Sequence, residues 1–182
     1  QVKFADTIGI DYCWMVEHHF VRHGGLCAAN YSLMSYLAGC TKRIRFAPDL
    51  THVILRDPTM IVQMIATLDE LTEGRAELIY SIGNFAMLEQ YHVQDQTRRP
   101  LARLREAHHV MRTFLDHGTI DHEGEFYRYT GLFTSARPVP GRDGACRIDE
   151  PRESLRRAVE VDPAHGQLAN AVVPHVGARG LE

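Results

Sequence analysis

Three short apolar runs punctuate the first half of the chain. Tyr12-Cys13-Trp14-Met15-Val16, Ile44-Arg45-Phe46-Ala47 and Leu78-Ile79-Tyr80-Ser81-Ile82 are each too short for a helix and read as strands. Between them the apolar positions recur at helical spacing. Tyr31, Met34, Leu37 and Ala38 mark a helix from about Ala28 to Ala38, with Thr41-Lys42-Arg43 placing positive charge at its end. Asp57-Pro58-Thr59 starts a second helix whose predicted apolar face is Met60, Ile61, Met64, Ile65, Leu68 and Leu71, stopping near Glu73-Gly74. The strand starts at Tyr12, Ile44 and Leu78 lie 32 and 34 residues apart, the spacing of repeated βα units in a parallel sheet.

Further on, Thr97 to His117 carries Leu101, Leu104, His108, Met111 and Leu115 on one stripe, with Pro100 in the first turn where proline is tolerated. Thr119 to His122 and Glu125 to Tyr129 flank Glu123-Gly124, which predicts a hairpin with a two-residue turn. Beyond about residue 140 the periodicity fades. The expected organisation is a patterned unit over 1–140 and a divergent Gly-, Arg-, Ala- and Pro-rich tail over 141–182, in which Arg152 to Val161 alone reads as a short helix.

Composition narrows the function. The 182 residues are 45% hydrophobic and 24% charged, as in a globular domain, and the net charge of -3 leaves no basic excess to neutralise a phosphate backbone. No nucleic-acid partner is expected, and no apolar run approaches a membrane span. The chain begins at Gln1 with no basic-then-apolar leader, so it reads as trimmed at its front and cytoplasmic. Cys13, Cys27, Cys40 and Cys146 include no C-x-x-C pair and read as reduced, mostly buried thiols.

Functional groups in parallel α/β folds gather where strands end at their carboxyl side. Here those places are Glu17-His18-His19-Phe20, Pro48-Asp49-Leu50-Thr51-His52 and Ser81-Ile82-Gly83-Asn84. A histidine there can shuttle a proton near neutral pH. Alternation along a strand turns His19 away if His18 faces the site. His52, in the loop after the second strand, reads first as a surface histidine and second as a contact for cofactor or substrate, and His108-His109 as one core-edge and one solvated residue. A metal held by His18, His19 and His23 is the lesser reading, since no H-E-x-x-H is present; no metal site is expected.

The Glu-His-His-Phe strand end, Thr41-Lys42-Arg43-Ile44-Arg45, Arg56-Asp57-Pro58, Thr67 to Arg75 and Glu123-Gly124-Glu125-Phe126-Tyr127 occur in an order and spacing that resembles the bacterial luciferase-like flavin monooxygenases, over roughly residues 5 to 140. The resemblance implies a (β/α)8 TIM barrel, of which this length carries about half. It implies reduced FMN, or in a sister branch a deazaflavin, at the carboxyl face of the strands, O2 and a small organic molecule as substrates, and a flavin reductase as a possible supplier. His18 matches the histidine that assists proton transfer, a non-prolyl cis peptide under the flavin ring falls near Asp49-Leu50, and Ser81 matches the position facing the reactive ring carbon. The sequence departs from the family at Ile82, where the luciferase branch has a phosphate-holding arginine, and at Pro48 and Asp49, where small residues are usual; Ile82 leaves the deazaflavin branch open. A shortened, non-catalytic binding or dimer-partner module is the alternative, because a half barrel exposes strand edges and an apolar interior that favour self-association. The family's habit of dimerising adds a possible homo-oligomer.

Overall fold

The computed structural model describes residues 1–20, 27–83, 85–93 and 99–139. Asn84, His23 and the 141–182 tail, with its expected helix, therefore lie outside the described residues. The elements run α1 (Val2–Thr7), β1 (Tyr12–Val16), α2 (Asn30–Ala38), β2 (Arg45–Asp49), β3 (Thr51–His52), α3 (Pro58–Thr72), β4 (Tyr80–Ser81), α4 (Phe85–Gln90), α5 (Pro100–His117), β5 (Thr119–Glu123) and β6 (Arg128–Phe133). The βα alternation predicts this order. The helix α1 had no counterpart in the pattern, yet its Asp6 carboxylate accepts from the backbone N–H groups of Lys42, Arg43 and Ile44 at 2.9, 2.8 and 2.8 Å and so pins the approach to β2.

β1 pairs with β2 in parallel, from Tyr12 opposite Arg45 to Val16 opposite Asp49. β3 pairs with β4 in parallel, Thr51 opposite Tyr80 and His52 opposite Ser81. The second strand thus extends further than Ile44 to Ala47 and continues into β3 after a cis peptide bond between Asp49 and Leu50. Backbone bonds from Phe46 N to Arg75 O and from Thr51 N to Ile79 O lay the segment before β4 along the other side of β2 and β3. Three parallel strands therefore stand side by side, with the crossover helices on one face, as the opening arc of a barrel.

The helix α3 begins as its sequence predicts. Asp57 Oδ1 accepts from Thr59 N at 2.8 Å, Pro58 occupies the first turn, and Glu73 in the left-handed region closes the last turn before Gly74. Its buried stripe is Ile61, Val62, Ile65, Ala66, Leu68, Asp69 and Thr72. Met60 and Leu71, predicted on that face, are 51% and 53% exposed. They lie on the flank of a stripe narrower than the apolar run implies, where α3 packs on α2 and α5. In α5 the buried positions are Leu104, Ala107, Val110, Met111, Phe114 and Leu115; His108 is half-buried and His109 exposed, as the pattern predicts.

The hairpin differs from expectation. Its connection is Gly124 to Tyr127, four residues long, and the Glu106 carboxylate of α5 accepts from the N–H groups of Glu125, Phe126 and Tyr127 at 3.1, 3.1 and 2.8 Å. A tertiary carboxylate, not a two-residue turn, shapes it. Burial pushes the Glu106 pKa up, but bonds from His122, Tyr127 and Phe126 outweigh it and hold the group below its ordinary value. Cys13, Cys27 and Cys40 are free thiols, half-buried where they were expected mostly buried; Cys13 packs against the edge of the core cluster from within β1. Among the described residues no helix is long and apolar enough to cross a membrane.

Candidate active site

The two faces of the arc are set by alternation. Phe46 is fully buried in the core, the Thr51 and Tyr31 hydroxyls meet at 2.8 Å, and Tyr80 Oη lies 2.6 Å from His108 Nδ1 of α5. These side chains point toward the helices. Their neighbours in sequence therefore point to the opposite, inner face. Parallel register then aligns Tyr12 with Arg45, Trp14 with Ala47, Val16 with Asp49, and His52 with Ser81 on that face.

At the amino end of the inner face Arg45 Nε meets Glu77 Oε1 at 2.6 Å, beside Tyr12. Above it Tyr12, Trp14 and Val16 are exposed, Trp14 at 53%. The alternation continues past β1: Glu17 is buried, His18 exposed and His19 half-buried. His18 is exposed beyond the strand end, and His19 Nε2 lies 2.8 Å from Glu17 Oε1 while its ring meets Tyr91 edge-on. Arg56 Nη2 bonds the same Glu17 oxygen. This small charge cluster braces the strand end from behind.

The carboxyl rim of the inner face thus gathers Asp49, His52 and Ser81, with Leu50 joined to Asp49 through the cis bond. Of the residues named as candidates from sequence, Asp49 and Ser81 stand at the carboxyl ends of β2 and β4, Leu50 follows Asp49 through the cis bond, and His18 is exposed two residues beyond β1. His52, expected at the surface, is 6% exposed; it follows Thr51 in a strand paired on β4, so it is walled in by neighbours that a single-strand reading does not supply. Glu17, Arg56 and Gly83 also had no assigned part. Nothing local marks them as a group; only the approach of three strand ends does.

Among the described residues, three buried polar atoms at this end have no hydrogen-bond partner: Glu17 Oε2, His52 Nδ1 and Ser81 Oγ. Buried polar groups are ordinarily satisfied, so a cluster of open ones at a strand rim is a mark of ligand recognition. Gly83 has φ +122°, and a β-carbon there would stand 3.4 Å from His52 Nδ1 and from Leu88 Cδ2. Glycine keeps this corner open. These features fit the polar edge of a flavin-type ring. Ile82, by contrast, packs half-buried against the core and offers no cation for a phosphate.

Burial lowers the His52 pKa below its ordinary 6.5; the Glu17 charge opposes this and Arg56 reinforces it. The fold therefore favours the neutral ring, while the unfolded chain binds a proton near pH 6.5. Stability from this group is present above that pH and is lost as pH falls through the folded pKa. Chemical denaturation from pH 7.5 to 5 is expected to show a fall in stability that His52→Asn reduces; equal slopes in both proteins would contradict the assignment.

A family model described as luciferase-like monooxygenase matches residues 1–153, and the chain belongs to that family. It is 28% identical over 175 residues to the 5,10-methylenetetrahydromethanopterin reductase of Archaeoglobus fulgidus, covering 95% of this chain and 48% of the relative. It is 30% identical over 140 residues to the F420-dependent glucose-6-phosphate dehydrogenase of Kineococcus radiotolerans, covering 74% and 41%. The solved structure of monooxygenase RslO1 from Streptomyces bottropensis superposes with a TM-score of 0.71 at 20% identity, covering 85% of this chain and 47% of that one. The chain spans less than half the length of these two curated relatives, 48% of the first and 41% of the second. The fold is a partial (β/α)8 barrel of an oxidoreductase family whose members use flavin or deazaflavin cofactors.

Proposed function

We propose that this chain forms the cofactor-binding part of a luciferase-like oxidoreductase that transfers a hydride between a deazaflavin and a small organic substrate. The observation that carries the choice of cofactor is Ile82, packed on the core where the FMN-binding branch resembled by the sequence has its phosphate arginine. The name of the F420-dependent glucose-6-phosphate dehydrogenase relative supports it. Asp49, Leu50 and Ser81 would hold the ring on the inner face, and His18, exposed just beyond β1, would hold or release the substrate's proton. When bound, the cofactor supplies two-electron chemistry that no side chain here can supply.

The second reading is a monooxygenase using reduced FMN and O2, with a separate flavin reductase supplying the reduced cofactor. It is favoured by the open position of His18, which suits proton management beside a flavin. Parallel fluorescence titrations with coenzyme F420 and with oxidised and reduced FMN separate the two. Binding of the deazaflavin at least about tenfold tighter, a difference of about 1.4 kcal/mol, is expected. Preference for FMN would move the assignment to the second reading, and binding of neither would remove both. In whichever protein turns over, His18→Ala is expected to lower kcat by about 10²- to 10⁴-fold. Its melting temperature should stay close to that of the parent, because the side chain is exposed; an unchanged rate would strike His18 from the reaction.

A further inference from the structure

The strands of the described residues end in edges that are guarded unequally. Among the described residues β1 is hydrogen-bonded to β2 alone, so its other side presents backbone groups without a strand partner. At the far edge of the arc β4 is only two residues long. β5 and β6 carry Asp121, Glu123, Arg128 and Gly131. Short strands, charges and irregularities are what ordinarily protects an edge from pairing with another chain, and β1 has none of them. Its five residues, Tyr12-Cys13-Trp14-Met15-Val16, include no charge, proline or glycine, and three are aromatic or β-branched. Tyr12, Trp14 and Val16 are exposed on its inner face, and Ile10 before the strand and Phe20 beyond it are exposed as well. These five side chains offer on the order of 500 Å² of apolar surface. Two copies meeting there would withdraw about 1,000 Å² from water, the size at which a protein interface becomes specific.

We propose that a second copy of this chain covers this edge, the two β1 strands pairing antiparallel about a two-fold axis perpendicular to the sheet. Symmetry selects that arrangement. A two-fold axis along the strands would make the pair parallel and turn the inner face of one copy to the helix side of the other, whereas the perpendicular axis keeps Tyr12, Trp14 and Val16 of both copies on one face. With Cys13 at the axis, Tyr12 stands opposite Trp14 of the second copy and Ile10 opposite Val16, and aromatic and β-branched pairs of this kind stabilise antiparallel strands. Centring the pair on Trp14 would instead set Asp11 opposite Glu17, two like charges, which disfavours that register. The interface uses no cofactor, so it stands or falls independently of the functional reading above.

Trp14 is the only tryptophan in the chain and reports on this edge directly. Its emission and its quenching by acrylamide are followed in the full chain from about 1 to about 100 μM, beside analytical ultracentrifugation. A discrete dimer is expected, with the emission moving to shorter wavelength and the quenching falling as it forms. Tyr12→Lys, which keeps the reporter and adds the cation that edges ordinarily carry, should weaken the dimer at least about tenfold. Phe133→Lys, which removes a more exposed apolar side chain from β6, should leave it within about twofold. A chain that stays monomeric over this range overturns the proposal, whether Trp14 is open to acrylamide or shielded by the chain's own residues. Association that leaves Trp14 quenching unchanged, or that Phe133→Lys weakens as much as Tyr12→Lys does, overturns it too. The Trp14 measurement on the parent needs no variant, so a Tyr12→Lys chain that fails to fold does not block the decision.

Discussion

Replacing Arg75 by Met is expected to cost about 4 kcal/mol of folding stability, because removing a buried donor strands several acceptors at once. The guanidinium is buried and donates to the carbonyls of Thr72 at 2.7 Å, Ile44 at 2.7 Å, Ala38 at 3.3 Å and Thr41 at 3.4 Å, and to Thr41 Oγ1 at 3.2 Å. It also lies over the Phe46 ring at 5.7 Å. One side chain thus ties the end of α3 to the end of α2 and to the start of β2. Met fills much of the volume but satisfies none of those carbonyls. Urea denaturation at constant m-value measures the loss, and a midpoint shift worth under about 1 kcal/mol would show that water replaces the arginine without cost. Against a typical total of about 5–15 kcal/mol, the expected loss is a large share of the stability of any domain this size.

The second large effect is expected at Glu17. Its side chain is fully buried, one oxygen serves both His19 and Arg56, and Arg56 keeps only 22% of its own exposure. Glu17→Ala leaves that cation partly buried without a counter-ion, so a loss of about 2–3 kcal/mol is expected, toward the lower end for breaking a buried pair because Arg56 is partly solvated. The variant also frees His19 and removes the negative charge that faces His52. Cofactor affinity should fall with stability. A double-mutant cycle with Arg56→Ala separates the two contributions; a coupling near zero would mean that the ion pair braces nothing.

Much of the arc was legible because it is local. The 32- and 34-residue spacing of apolar runs, the Asp57-Pro58 helix start and the Glu73-Gly74 stop follow from propensity, capping and periodicity, each settled within a few neighbouring residues. The exposure of Met60 and Leu71 and the four-residue connection at Gly124 were not legible. Which flank of α3 is covered depends on where α2 and α5 lie, and the hairpin connection is shaped by a carboxylate 18 positions upstream of it, on another element. Neither leaves a signal in its own stretch of chain.

The same division runs through the site. Sequence alone placed His18, Asp49, Leu50 and Ser81 at or beside strand ends, since each follows or closes an apolar run too short for a helix. Only the tertiary structure decided that His52 joins Ser81 on the inner face, that Glu17 holds His19 and Arg56 behind it, and that Gly83 leaves the corner open. Register between parallel strands is set by how the crossover helices pack, not by the residues that end up facing one another. A histidine that reads first as solvent-exposed in its own loop thereby becomes buried, with an unpartnered ring nitrogen, once two distant strands are laid beside each other.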